Sequence, residues 1–165
     1  ITMEALEPYR TGFSRPVGDP APLPHLWCDE LRDRGSIDIR IQMFLQTQRM
    51  LEGSSEPVMI SDSKFTDSYW AFAQLIAHQT SNGSNLLPGD LLGSGTLSGK
   101  DPASRACLLE LTQGGKNPIS LPNGEKRAFL EDGDTVIMRG YCQREGAVRI
   151  GFGECRSTVM PATKL

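Results

Sequence analysis

The stretch Ser36-Ile37-Asp38-Ile39-Arg40-Ile41-Gln42-Met43 decides the fold class, because Ile37, Ile39, Ile41 and Met43 alternate with Asp38, Arg40 and Gln42. Alternation with a period of two is the mark of a strand with one buried face. Downstream, Gly53-Ser54-Ser55 marks a turn, and Pro57 to Ile60 reads as a short strand that returns against the first. The period then changes: Phe65, Tyr69, Phe72, Ala73 and Ile76 fall at helical spacing, with Ser63 or Thr66 as N-cap and Asn82-Gly83 as the stop. This predicts one main helix over about Thr66–Thr80.

Upstream of the strand, Pro8, Pro16, Pro20, Pro22 and Pro24 fix φ and remove backbone donors, so Leu6 to Pro24 reads as an extended excursion. Beyond the helix, short apolar runs are separated by turn signals: Cys107 to Thr112, Ile119 to Leu121, Ala128 to Leu130, Thr135 to Tyr141 and Val148 to Phe152. Asn123-Gly124 is a strong hairpin signal, and Leu87-Pro88-Gly89-Asp90 and Asp132-Gly133-Asp134 read as turns. The expected architecture is α+β: a mixed β-roll or partly closed barrel-like sheet with one main flanking helix.

Composition limits the function classes. The 165 residues suffice for one domain, and 38% hydrophobic with 22% charged residues is the balance of a chain that folds. The formal charge is -3, with Lys and Arg scattered, which argues against a nucleic-acid partner. No apolar run reaches the roughly 18 to 20 residues of a spanning helix, and the first residues lack signal-peptide character, so no membrane partner is expected. Cys28, Cys107, Cys142 and Cys155 form no CxxC pair and read as reduced thiols of a cytosolic protein. The sequence starts at Ile1 rather than Met, the expectation for a fragment.

Three features invite chemistry. Gly93-Ser94-Gly95-Thr96-Leu97-Ser98-Gly99 fails as a phosphate loop, which needs Gly in place of Ser94 and Ser or Thr in place of Asp101, and fails as a dinucleotide fingerprint at Ser98. It is either a tight turn or a loop whose backbone and Thr96 hydroxyl line a pocket. Glu110, in Cys107-Leu108-Leu109-Glu110-Leu111, is either a solvent-facing strand residue or a buried acid with a partner, and the scarcity of unpaired buried Glu favours the former. His25, in the proline-rich excursion, and His78, near the helix end, read as structural. No HExxH, paired-Cys ligand set or carboxylate cluster at metal spacing is present.

An ordered series of segments adds to this reading. Ser68-Tyr69-Trp70-Ala71-Phe72-Ala73-Gln74-Leu75-Ile76-Ala77-His78 is followed by Ser81-Asn82-Gly83-Ser84-Asn85-Leu86, and then by Pro88-Gly89-Asp90-Leu91-Leu92-Gly93 running into Thr96-Leu97-Ser98-Gly99. Leu109-Glu110-Leu111, Phe129 to Asp134, Gly140-Tyr141-Cys142 and Ile150-Gly151-Phe152-Gly153 continue it. The set resembles the C-terminal portion of the fumarylacetoacetate hydrolase family, from Met3 to Ala162.

The resemblance implies hydrolysis of a carbon-carbon bond in a diketo acid, fumarylacetoacetate plus water giving fumarate and acetoacetate, in tyrosine and phenylalanine catabolism. In the family a His acts as base, a Glu orients it, and a divalent metal, calcium and/or magnesium, is held by carboxylates. Glu110 is similar to the orienting carboxylate and Thr96 to a substrate-binding hydroxyl, so the resemblance reverses the reading from the residues alone: it implies a buried, partnered Glu110 and a pocket-lining loop at Thr96. The base His, the metal ligands and the cationic oxyanion groups are expected upstream of Ile1, so residues 1–165 would be the C-terminal part of a catalytic domain and inactive alone. The family likeness also implies a cytoplasmic homodimer that needs the upstream portion of the same protein. Gln79, where a second His commonly stands, Ser84, where Cys is usual, and His25, in place of an aromatic, are departures bearing on packing. The alternatives are another oxo-acid reaction on the same platform, namely decarboxylation, isomerisation or hydration, or a non-catalytic scaffold.

Overall fold

The computed structural model describes residues 1–163. In chain order they form α1 (Met3–Leu6), β1 (Arg10–Thr11), α2 (Glu30–Arg34), β2 (Ser36–Ile37), β3 (Arg40–Gln46), α3 (Gln48–Glu52) and β4 (Val58–Lys64). There follow α4 (Phe72–Thr80), α5 (Leu108–Leu111), β5 (Ile119–Ser120), β6 (Lys126–Arg127), β7 (Thr135–Cys142) and β8 (Ile150–Thr158).

The strand expected at Ser36–Met43 exists in two pieces that serve different sheets. β2 pairs with β1, then the chain bends at Asp38, whose N–H donates to Tyr9 O at 2.9 Å, and β3 enters a four-stranded sheet of order β4-β3-β7-β8. The predicted return strand forms as β4, antiparallel to β3 and running on to Lys64. Every pairing is antiparallel, and β4 and β8 remain as open edges. The sheet is therefore neither mixed nor closed, which corrects the barrel-like expectation: closure needs the two edge strands to meet.

Two bulges bend this sheet. Between Met43 and Phe44 the register on β4 skips Ile60, and opposite Gly140 strand β8 carries an extra residue where Gly153 takes φ +83°. That left-handed conformation is cheap for glycine and is what lets a strand hold an unpaired residue. The Asn123-Gly124 hairpin joins β5 to β6, with Gly124 at φ +84°.

The main helix starts later than its hydrophobic period suggests. Phe65–Asp67 is a single 3-10 turn, and α4 begins only at Phe72, with Ala71 as N-cap. Gln74 explains the boundary: its side-chain oxygen accepts the Ala71 N–H at 3.0 Å while its amide donates to Leu26 O at 2.9 Å. The spacing of Phe65 and Phe72 still has a physical counterpart, because their rings stack at 3.9 Å between centroids.

Apolar burial is divided among three clusters. The first joins Leu6, Tyr9, Ile37, Ile39, Phe65 and Cys142; the second joins Phe13, Leu31 and Ala71; the third joins Leu45, Met50 and Leu121. Near the third, Arg127 donates from Nε and Nη2 to the two oxygens of Asp134 at 2.8 and 3.1 Å, and Asp134 is fully buried. All four cysteines are free thiols, and no helix among the described residues is long and apolar enough to cross a membrane.

Candidate active site

Glu110 lies on a helical turn, which corrects the strand expected at Cys107–Thr112. In α5 the N–H of Leu111 reaches Cys107 O at 3.0 Å and that of Thr112 reaches Leu108 O at 2.8 Å. A run of four residues fits either period, and here Gln113, Gly114 and Gly115, all at positive φ, end the turn at once. Thr112, fully buried, ties off the exit by donating to Leu108 O at 2.6 Å and accepting from Gly115 N at 2.9 Å.

The carboxylate of Glu110 is exposed in this chain, which corrects the buried acid that the family resemblance implies. Its Oε2 accepts a hydrogen bond from the hydroxyl of Ser98, and its backbone carbonyl accepts from Arg105 at 3.3 Å. Thr96, two residues before Ser98, is exposed in an irregular segment, while Leu97 between them packs against the first apolar cluster. With Leu97 turned inward, Thr96 is left on the open side of its segment. The glycine-bracketed stretch is irregular rather than a tight turn: residues 93–96 are exposed, Leu97 packs against the core, and Ser98 joins it to the helical turn that bears Glu110.

The two histidines do not join this arrangement. His25 sits in a 3-10 turn at Pro24–Leu26, and His78 lines a cavity of about 130 Å³ with Leu26, Trp70, Gln74 and Leu75. A larger cleft, about 510 Å³, is lined by residues including Arg10, Cys28, Arg34, Phe72 and Ile76 but by neither Thr96 nor Glu110. Size alone would select that cleft, yet its basic side chains Arg10 and Arg34 are both already paired with Glu7. Among the described residues no three His, Cys, Asp or Glu side chains converge as metal ligands. A divalent metal therefore does not fit a site built from these residues alone.

The family model described as "Fumarylacetoacetate (FAA) hydrolase C-terminal" matches residues 16–160. The chain belongs to the fumarylacetoacetate hydrolase family. Its similar relatives include proteins named fumarylacetoacetase from Arabidopsis thaliana at 43% identity, and from Bos taurus and Homo sapiens at 44% each, all over 162 residues and 98% of this chain. The chain spans 36% of the length of each of these curated relatives. The family match includes Thr96, Ser98 and Glu110 within one continuous stretch.

Nothing in the sequence alone marks Ser98 as a site residue. Its only local signal is the alternation Thr96-Leu97-Ser98, which places an apolar residue between two hydroxyls. The bond that gives it meaning spans 12 positions of sequence.

Proposed function

We propose that this chain supplies part of the active site of a hydrolase that cleaves fumarylacetoacetate into fumarate and acetoacetate, in tyrosine and phenylalanine catabolism. The observation that carries the reading is the hydrogen bond from Ser98 to Glu110, which ties the carboxylate to the segment bearing Thr96. Glu110 orients an imidazole contributed from outside residues 1–163, fixing its tautomer and stabilising the imidazolium as the base takes a proton from water. Hydroxide oxygen bonds to the carbonyl carbon, the carbon-carbon bond breaks, and its electron pair leaves with the acetoacetate carbon, which is then protonated. Thr96 donates or accepts a hydrogen bond at the substrate. The family role calls for a buried, partnered carboxylate; Glu110 is exposed in this chain, and the reading rests on its bond to Ser98 and on its second oxygen, which no described residue engages.

Residues 1–165 act here as the C-terminal part of a catalytic domain, and the open four-stranded sheet is one portion of a larger β-roll flanked by α4. The metal, calcium and/or magnesium, is held by carboxylates outside this chain, and the whole protein is a cytoplasmic homodimer. The shared name of the relatives supports hydrolysis over decarboxylation, isomerisation or hydration of other oxo acids.

Glu110→Gln in the full-length protein tests the assignment. Turnover of fumarylacetoacetate should fall by roughly 10³ to 10⁴, as expected when a base loses its orienting carboxylate. Circular dichroism should be unchanged. Turnover equal to the parent would remove the role, and steady turnover by the isolated, metal-supplemented chain would show that the base lies within it.

A further inference from the structure

The segment that carries Ser98 is fixed on both sides. Leu97 packs into the cluster of Leu6, Tyr9, Ile37, Ile39, Phe65 and Cys142. On the other side, Gly99 N–H donates to Ser104 O at 3.1 Å, and Ser104 is itself buried and bonded through its hydroxyl to Asp101 O at 2.7 Å. A Cβ at Gly99 would come within 2.5 Å of Ser104 Oγ and 2.7 Å of Asp67 Oδ2, so the close approach requires glycine. Ser98 therefore has little freedom to drift from its place.

Its hydroxyl makes two bonds of opposite sense. Oγ accepts the N–H of Ala106 at 3.1 Å and donates its single proton to Glu110 Oε2. A carboxylate only accepts, and a hydroxyl that has accepted from an amide still has its proton to give, so the direction of the chain Ala106 to Ser98 to Glu110 is set. Oε1 of Glu110 has no hydrogen-bond partner among the described residues. One oxygen is clamped and the other is presented.

We propose that Ser98 is a positioning residue of the active site: by holding Oε2 it aims Oε1 of Glu110 at the imidazole N–H. This rests on the assignment of Glu110 made above. Ser98 touches neither substrate nor base and acts through the carboxylate alone, as outer partners of a functional side chain do.

A double-mutant cycle in the full-length protein, read as kcat and KM for fumarylacetoacetate, separates the claims. Ser98→Ala should lower kcat about 10- to 100-fold, the usual cost of losing such an outer partner, with KM unchanged. In the Glu110→Gln background the same substitution should cost nothing further, because the group it positions is gone. Equal losses in both backgrounds, or a parent-like kcat for Ser98→Ala beside a crippled Glu110→Gln, would overturn the role of Ser98 alone. A parent-like kcat for Glu110→Gln would overturn the active-site reading itself, and this proposal with it. If Ser98→Ala does not fold, Ser98→Cys, nearly isosteric but a weak donor, carries the same cycle with the same outcomes.

Discussion

Asp134 and Glu110 are both carboxylates fixed by side-chain hydrogen bonds, and they differ in how completely. Asp134 is fully buried, receives Arg127 on both oxygens and also accepts the Glu131 N–H at 3.0 Å. Glu110 is exposed and receives one hydroxyl on one oxygen. Buried charge is tolerated only when paired and hydrogen-bonded, so the saturation of Asp134 marks a group whose work is internal to this fold. The spare oxygen of Glu110 marks a group with capacity for a partner from elsewhere. Asp134 is thus saturated within this fold, whereas Glu110 keeps one oxygen that the proposed role would use.

The contrast breaks most visibly if Asp134 loses its charge. Asp134→Asn keeps the shape of the side chain but leaves the Arg127 guanidinium buried with Glu125 at 3.3 Å and Glu131 at 3.4 Å as its remaining acidic contacts. Removing one member of a buried pair costs about 3 to 5 kcal/mol, and Asp134→Asn should approach that range in urea unfolding. Glu110→Gln, measured the same way, should stay within about 0.5 kcal/mol of the parent, as surface substitutions do. Equal stability losses at the two positions would mean that the difference in saturation has no energetic content.

Part of this was open to sequence reading and part was hidden for definite reasons. The alternation of Ile37, Ile39, Ile41 and Met43 marks strand correctly, yet alternation carries no record of which strand pairs with which, so the transfer from β1 to the larger sheet at Asp38 is invisible in it. The period linking Phe65 to Phe72 signals a true contact, formed through a 3-10 turn and a capped helix start instead of one continuous helix. Leu108-Leu109-Glu110-Leu111 is too short for periodicity to decide; its backbone bonds to Cys107 and Leu108 make it a helical turn, which three positive-φ residues then end. The turns at Pro88-Gly89 and Asp132-Gly133 were legible because Gly89 and Gly133 adopt the φ of +102° and +87° that few other residues tolerate. Thr96 and Glu110 stood out by family likeness, whereas Ser98, whose meaning lies in a bond across sequence, did not.

Asp62 lies between the two extremes and sharpens the comparison. Arg40 reaches both of its oxygens at 2.6 Å and Gln42 adds a bond at 3.1 Å, while the Arg40 side chain remains 45% exposed. The Arg40 hydrogen bonds hold the Asp62 carboxyl below its ordinary value of 3.8. With a depressed folded pKa the unfolded chain binds more protons, so this pair stabilises the fold above the ordinary value and the contribution is lost as pH falls through the folded one. Asp62→Asn should cost about 1 kcal/mol at neutral pH, the upper end for a partly exposed pair, and the difference from the parent should vanish in strong acid. An undiminished difference at acid pH would assign the loss to packing.

The smallest effect on stability is expected at Thr96, and there it is informative. Its side chain is exposed and makes no hydrogen bond among the described residues, and the anchors of its segment are Leu97 and Gly99. Thr96→Val preserves the branched shape and deletes only the hydroxyl, so unfolding should shift by less than about 0.5 kcal/mol. If the hydroxyl binds substrate equally in the ground and transition states, KM for fumarylacetoacetate rises while kcat holds; if its bond forms only in the transition state, kcat falls instead. Either change, with stability untouched, would place Thr96 with Glu110 as a residue whose unused bonding capacity faces the chemistry. Parent values of both constants would leave Thr96 with no part in the chemistry and would reduce the proposed site in this chain to the carboxylate and its clamp.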